Sequence, residues 1–230
     1  MYKIVTIIFF ITGLNVLAQD SLPRVSVDSL YREDQFYFGV NYNVPLNLPD
    51  GVVSRGLTGG LQFGILRDMP INKQRNIALA AGLGLTIDQY GQNLFIGETP
   101  NDETIFKVLD ENVEYTRNRF NITTVEVPIE FRWRTSTPEN YAFWRVYAGL
   151  RVGYAFWYKS TFKQPENNVT QSKIPEFNPL RLSATLSAGY SNFNLFASYS
   201  INPFFEDAKT TDGEAVDFRA LKVGIIFFIL

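Results

Sequence analysis

The chain has 230 residues, of which 46% are hydrophobic and 15% aromatic, with 20 Phe, 12 Tyr and 3 Trp; 21 Lys and Arg against 23 Asp and Glu leave a net charge of -2. There is no Cys and no His, which excludes disulfides, thiolate metal sites and cysteine catalysis, and removes the commonest general base and zinc ligand together. The basic excess of a nucleic-acid binder is missing too.

Met1–Ala18 reads as a secretory signal peptide. Lys3 precedes an apolar run from Ile4 to Leu14, and Val16-Leu17-Ala18 ends in a small residue suited to cleavage. The run is short of the roughly 20 residues a membrane helix needs. Residues 19–34 are polar, with Pro23 and several charges, as expected of a flexible periplasmic lead. From residue 35 to 230 the pattern is that of a single barrel domain.

From Phe36 onward the apolar residues recur at every second position, the period of a β-strand with two unlike faces. Phe36, Phe38, Val40, Tyr42 and Val44 oppose Tyr37, Gly39, Asn41 and Asn43. The same alternation marks segments near 57–66, 77–88, 125–134, 144–156, 180–190, 194–201 and 220–229. Most are long enough to cross a bilayer at a tilt, which takes about 9–11 residues, and their even number suits a bacterial outer-membrane barrel. Short connections (68–74, 135–140, 191–193) alternate with long polar ones (47–55, 97–118, 159–178, 204–217). In outer-membrane barrels the short turns are periplasmic and the long loops external, which places both termini in the periplasm. Aromatics gather near segment ends, Trp133, Tyr141, Phe143 and Trp144 at one turn and Tyr154, Phe156, Trp157 and Tyr158 near a long loop, as girdles at the two interfaces would.

The fold class expected is therefore all-β, an eight-stranded antiparallel transmembrane up-and-down barrel of OmpA/OmpX-like size. A soluble lipocalin-type barrel would carry its apolar faces inside. Here the polar faces are rich in Gly, Ala, Ser and Thr, which suits a crowded small-barrel interior. Eight strands leave room only for side chains. The charges on the inward faces are Glu126, Glu130, Arg132, Arg134, Arg145, Arg151, Arg181 and Lys222. Charges in a low-dielectric interior must be paired, and a hairpin closed at 135–140 would bring Glu130 toward Arg145, and Glu126 toward Gly149 or Arg151. This lumen network reads first as structural; the other readings are a small polar path favouring anions, or a ligand cavity.

No constellation for catalysis, no metal site and no cofactor site emerges. Glu126 and Glu130 could mimic a glycosidase pair only at a defined separation around a sugar, and both face a narrow interior. The segment Arg67–Asn76 is longer than a hairpin requires, and its Arg67, Asp68, Lys73 and Arg75 form a candidate contact for a periplasmic partner.

The mature N-terminal Gln19, the first strand Phe36-Tyr37-Phe38-Gly39-Val40-Asn41-Tyr42-Asn43, and above all the stretch from Gly60 to Lys73 (GLQFGILRDMPINK) resemble the Bacteroidota outer-membrane barrel proteins of the PorT (SprT) type. The resemblance implies an accessory role in type IX protein secretion, and in gliding motility where present, through contacts with other secretion-machinery proteins. It carries no functional residues over. The partners expected are outer-membrane lipid and secretion proteins. The alternatives are a structural or adhesive barrel that binds external targets through its long loops, and a small anion-permeable pore.

Overall fold

The structure, a computed structural model, describes residues 34–135 and 143–229. The signal-peptide expectation and nearly all of the N-terminal lead lie outside the described residues, as does Tyr141. Eleven strands follow in chain order: β1 (Gln35–Leu46), β2 (Gly59–Pro70), β3 (Ile77–Gly91), β4 (Leu94–Glu98), β5 (Thr104–Val108), β6 (Arg117–Arg134), β7 (Trp144–Lys163), β8 (Asn168–Gln171), β9 (Leu180–Tyr190), β10 (Phe193–Ser200) and β11 (Arg219–Ile229).

Eight of these form the wall. The order β6-β3-β2-β1-β11-β10-β9-β7 closes through the pairing of β6 with β7, so each wall strand is paired on both sides. Every wall pairing is antiparallel. The eight wall strands are the eight alternating segments of the sequence. The closed antiparallel eight-stranded barrel thus holds. β4 and β5 form a separate hairpin in the connection between β3 and β6, and β8 adds to the outer end of β7 in the connection to β9.

The apolar faces point outward. Phe36, Phe38, Val40, Phe63, Ile65, Leu83, Ile129, Phe131, Leu150 and Leu195 are all exposed, while the alternate residues are buried. A water-soluble barrel would place these the other way. An outer face of this kind belongs in hydrocarbon, where a closed sheet leaves no backbone group unpaired.

Aromatic residues bound the apolar band. At the short-turn end Trp144 lies edge-on to Tyr190 with ring centroids 5.5 Å apart, and Phe193 meets Phe227 at 5.9 Å. At the other end Tyr154, Phe156 and Trp157 are exposed. From Trp144 to Tyr154 the strand advances about 33 Å, or about 25 Å when tilted by about 40°, the height of a membrane band. Two expected girdle residues sit elsewhere: Phe143 is buried against Arg145, and Tyr158 turns inward. The reason for Tyr158 is a bulge. Thr123 pairs with Trp157 while Thr124 pairs with Ala155, so Phe156 is an extra residue on β7 and the side-chain parity reverses beyond it.

Pro128 faces inward on β6 and has no N–H to donate. The ladder from β3 to β6 is interrupted there, running from Ala81↔Ile129 directly to Gly84↔Glu126.

Two cores fill the barrel. One, inside the membrane band, contains Tyr37, Leu66, Ala80, Tyr147, Phe196, Ile226 and Phe228. The other lies at the long-loop end, where Tyr90, Phe106, Phe120, Phe177, Phe205 and Phe218 pack with Leu94, Ile96 and others. The long connections are thus a packed cap. They are tied to each other: Asn47 Nδ2 donates to Asp217 (3.0 Å), the Asp50 N–H to Glu214 (2.8 Å), the Thr211 N–H to the Phe106 carbonyl (2.9 Å), and Gln171 Nε2 to Glu98 (2.6 Å).

Candidate functional site

The lumen is built in layers along the barrel axis. Nearest the short turns, Asp68 accepts from two guanidinium groups, Arg132 Nη1 at 3.1 Å and Arg134 Nη1 at 2.6 Å. Arg132 also donates from Nε and Nη2 to Glu130 (3.1 and 3.0 Å) and from Nη1 to Gln35 (3.1 Å). Its guanidinium carbon lies 4.5 Å from the Tyr147 ring centre and 5.5 Å from that of Phe228. Arg145 stacks on Phe143 at 4.4 Å and makes no ion pair among the described residues.

In the middle layer Arg151 Nη1 donates to Glu126 (2.5 Å) and to Gln62 (2.6 Å). Its guanidinium carbon lies 5.4 Å from the ring centre of Tyr37 and 4.9 Å from that of Phe196. The Tyr37 hydroxyl reaches Glu126 at 3.5 Å. Tyr37 lies over Gly84, where a Cβ would stand 1.9 Å from the hydroxyl oxygen. Glycine is required there by close approach, and Gly64 on β2 with Gly84 on β3 form a hollow for the ring across two neighbouring strands.

Toward the cap, Lys222 Nζ donates to Asp88 (2.5 Å), which also accepts from Asn43 Nδ2 (3.0 Å). At the base of the cap Arg181 sits 4.5 Å from the Phe204 ring centre and donates to the carbonyls of Leu180 (2.9 Å) and Pro203.

The structure places the eight inward charges read from the sequence, Lys222 among them, on the lumen side of the wall. The pairing differs from expectation in one respect. Glu130 does not meet Arg145; it stands opposite Gly149 and pairs along its own strand with Arg132. The cause is the register of β6 against β7, in which Arg134 faces Arg145 and Glu126 faces Gly153. Glu126 reaches Arg151 diagonally, as one of the expected alternatives had it. Two acids of the network, Asp68 and Asp88, are absent from the inward charges read from the sequence. With them four carboxylates face six cations, and the two cations with no carboxylate partner among the described residues, Arg145 and Arg181, lie on aromatic faces.

The candidate partner contact at the short-turn end must be revised. Asp68 is fully buried in the lumen and is unavailable to a partner. β2 continues to Pro70, so the turn itself is only residues 71–76. It is pinned: the Ile71 N–H donates to the Ile77 carbonyl, Asn72 caps the Ile77 N–H at 3.2 Å, and the Arg75 carbonyl accepts from Arg134 Nε at 3.0 Å. Arg75 adopts a left-handed φ of 57°. Arg67 and Lys73 are exposed, Arg67 on the outer wall and Lys73 on the turn. Among the described residues, no group of three or more Asp and Glu side chains is placed to hold a metal ion.

Fold, band and filled lumen define a small integral outer-membrane β-barrel. The chain belongs to the family described as outer membrane protein beta-barrel domain, whose model matches residues 17–206. Among solved structures it is similar to Ail, the attachment invasion locus protein of Yersinia pestis. In complex with the heparin analogue sucrose octasulfate, Ail shares 14% identity over 87% of this chain and 100% of its own, with a TM-score of 0.33. A second Ail structure shares 15% identity over 85% of this chain and 97% of its own, with a TM-score of 0.32. No curated protein matches the sequence.

Proposed function

We propose that this outer-membrane barrel works through its surfaces, without catalysis or conduction, as an accessory component of type IX protein secretion in a Bacteroidota envelope. The observation that supports a surface role is the interior: its charges are held in ion pairs or on aromatic rings, and Tyr37, Tyr147, Phe196 and Phe228 occupy the space between them. The type IX assignment rests on the resemblance of the Gly60–Lys73 stretch to the PorT type. In this reading the short turns and both ends of the chain face the periplasm, and Arg67 and Lys73 offer two exposed cations to a secretion-machinery partner.

The test is the secretome of a strain lacking the gene, complemented with wild type or with the R67A/K73A variant. Proteins that carry type IX sorting domains should vanish from the medium in the deletion strain and return with wild type. An unchanged secretome removes the secretion role. A second reading is favoured by the cap: a rigid external platform that includes the β4–β5 hairpin is suited to binding outside targets. Deleting residues 94–108 should abolish such binding and spare secretion.

A further inference from the structure

Where the lipid-facing wall gives way to the cap, two hollows join. The first, about 420 Å³, is lined by Arg55, Arg117 and Arg119 together with Gln89 and Tyr115. The second, about 640 Å³, is a groove on the outer wall lined by Val40, Tyr42, Leu61, Ile87 and Val223. Leu57 and Gln89 belong to both.

The groove has a simple origin. Tyr42, Gly59 and Gln89 lie side by side across β1, β2 and β3. Gly59 has no side chain, so the wall is hollow between its neighbours. The cationic cleft follows from strand parity: Arg117 and Arg119 occupy outward positions on β6, beyond the Thr123–Trp157 pair at the aromatic boundary. On β7, Lys163 stands opposite Arg117, and Lys159 opposite Asn121. Glu111 and Glu114 line an adjoining hollow that shares Arg55 and Tyr115 with the cleft, while Arg117 and Arg119 line the cleft alone. Arg119 Nη1 donates to Gln89 (2.9 Å), but its Nε, like the Tyr115 hydroxyl, is buried with no hydrogen-bond partner. Buried donors of this kind are seldom left unsatisfied.

A cationic cleft at the headgroup level, continuous with an apolar trough in the hydrocarbon band, matches one ligand class: an anionic head joined to an acyl chain. We propose that the composite site seats a phosphorylated acyl lipid of the outer leaflet, its phosphate against Arg117 and Arg119 and a chain along the hollow over Gly59. The leaflet rests on the orientation proposed above; the cleft and trough do not.

The test is native mass spectrometry of the full barrel in detergent, titrated with diphosphoryl lipid A, with the same lipid dephosphorylated, and with inorganic phosphate. The expected result is a one-to-one adduct with diphosphoryl lipid A, weakened on the order of tenfold by each of R117A and R119A, weakened also by L57S, and unaffected by K73A at the opposite end. Heat-shifted gel migration verifies that each variant is folded. Equal binding of the dephosphorylated lipid, or wild-type binding by the R117A/R119A double variant, overturns the proposal. Retention of inorganic phosphate as strongly as the lipid overturns it in favour of a simple anion site. Orientation is read separately: the chain lacks cysteine, so D102C on the β4–β5 turn should react with an impermeant maleimide on intact cells. Protection there moves the site to the inner leaflet and overturns the outer-leaflet assignment, while the titration still reports on the cleft.

Discussion

At the scale of single residues, Asp68 and Arg151 hold the lumen together. Asp68 is the shared acceptor of Arg132 and Arg134; removing it takes one buried carboxylate from two buried guanidinium groups at once. Breaking a buried pair costs about 3–5 kcal/mol. D68A should therefore lower unfolding stability by at least that order in urea titrations of the refolded barrel, and R151A by a similar amount through Glu126. A double variant, E126Q/R151M, should recover much of the loss, because it removes both charges together. Gly84→Val should fail in another way, by driving a side chain into Tyr37; refolding yield measures it. The lumen was partly legible in the sequence, because inward parity alone selects Glu126, Arg132 and Arg151. Asp68 was hidden by its place beside a presumed turn. Period-two patterning gives the face of a residue and says nothing of its register against the next strand, which is why Glu130 pairs with Arg132 and not with Arg145.

At the scale of elements, the eight wall strands were legible because each carries one lipid face over many residues, so the alternation repeats often enough to be unambiguous. The β4–β5 hairpin, β8 and the outer third of β6 were not. Beyond the membrane band no face is held in hydrocarbon, and apolar residues such as Ile96 and Phe106 point into the cap, so the alternation loses its rule. The bulge at Phe156 is the hinge between these regimes. Deleting Phe156 should remove the bulge and leave the register beyond it as it is, with Trp157 still outward and Tyr158 still against the cap. The expected readout is a folded barrel in which residues 164–179 are cut by protease no faster than in the wild type; faster cutting there would show that the cap needs the bulge itself.

For the whole molecule, closure and a filled interior predict heat-modifiable gel migration and no steady conductance in planar bilayers. Arg151→Ala would open a path if the lumen were a channel; the packing of Tyr37 and Phe196 around that site predicts that even this variant stays silent. Sustained anion current in the wild type would instead revive the pore reading. The pairing of β1 with β11 adds a constraint in time. That ladder joins β1 to β11, from Phe36↔Ile229 to Leu46↔Arg219, so the seam has the longest loop to close and cannot form until β11 is at hand. Until then both strands are bare edges able to pair with any neighbour. Before that seam closes the barrel is unsealed, so truncations that remove β11 should leave the chain degraded or aggregated, never a smaller barrel.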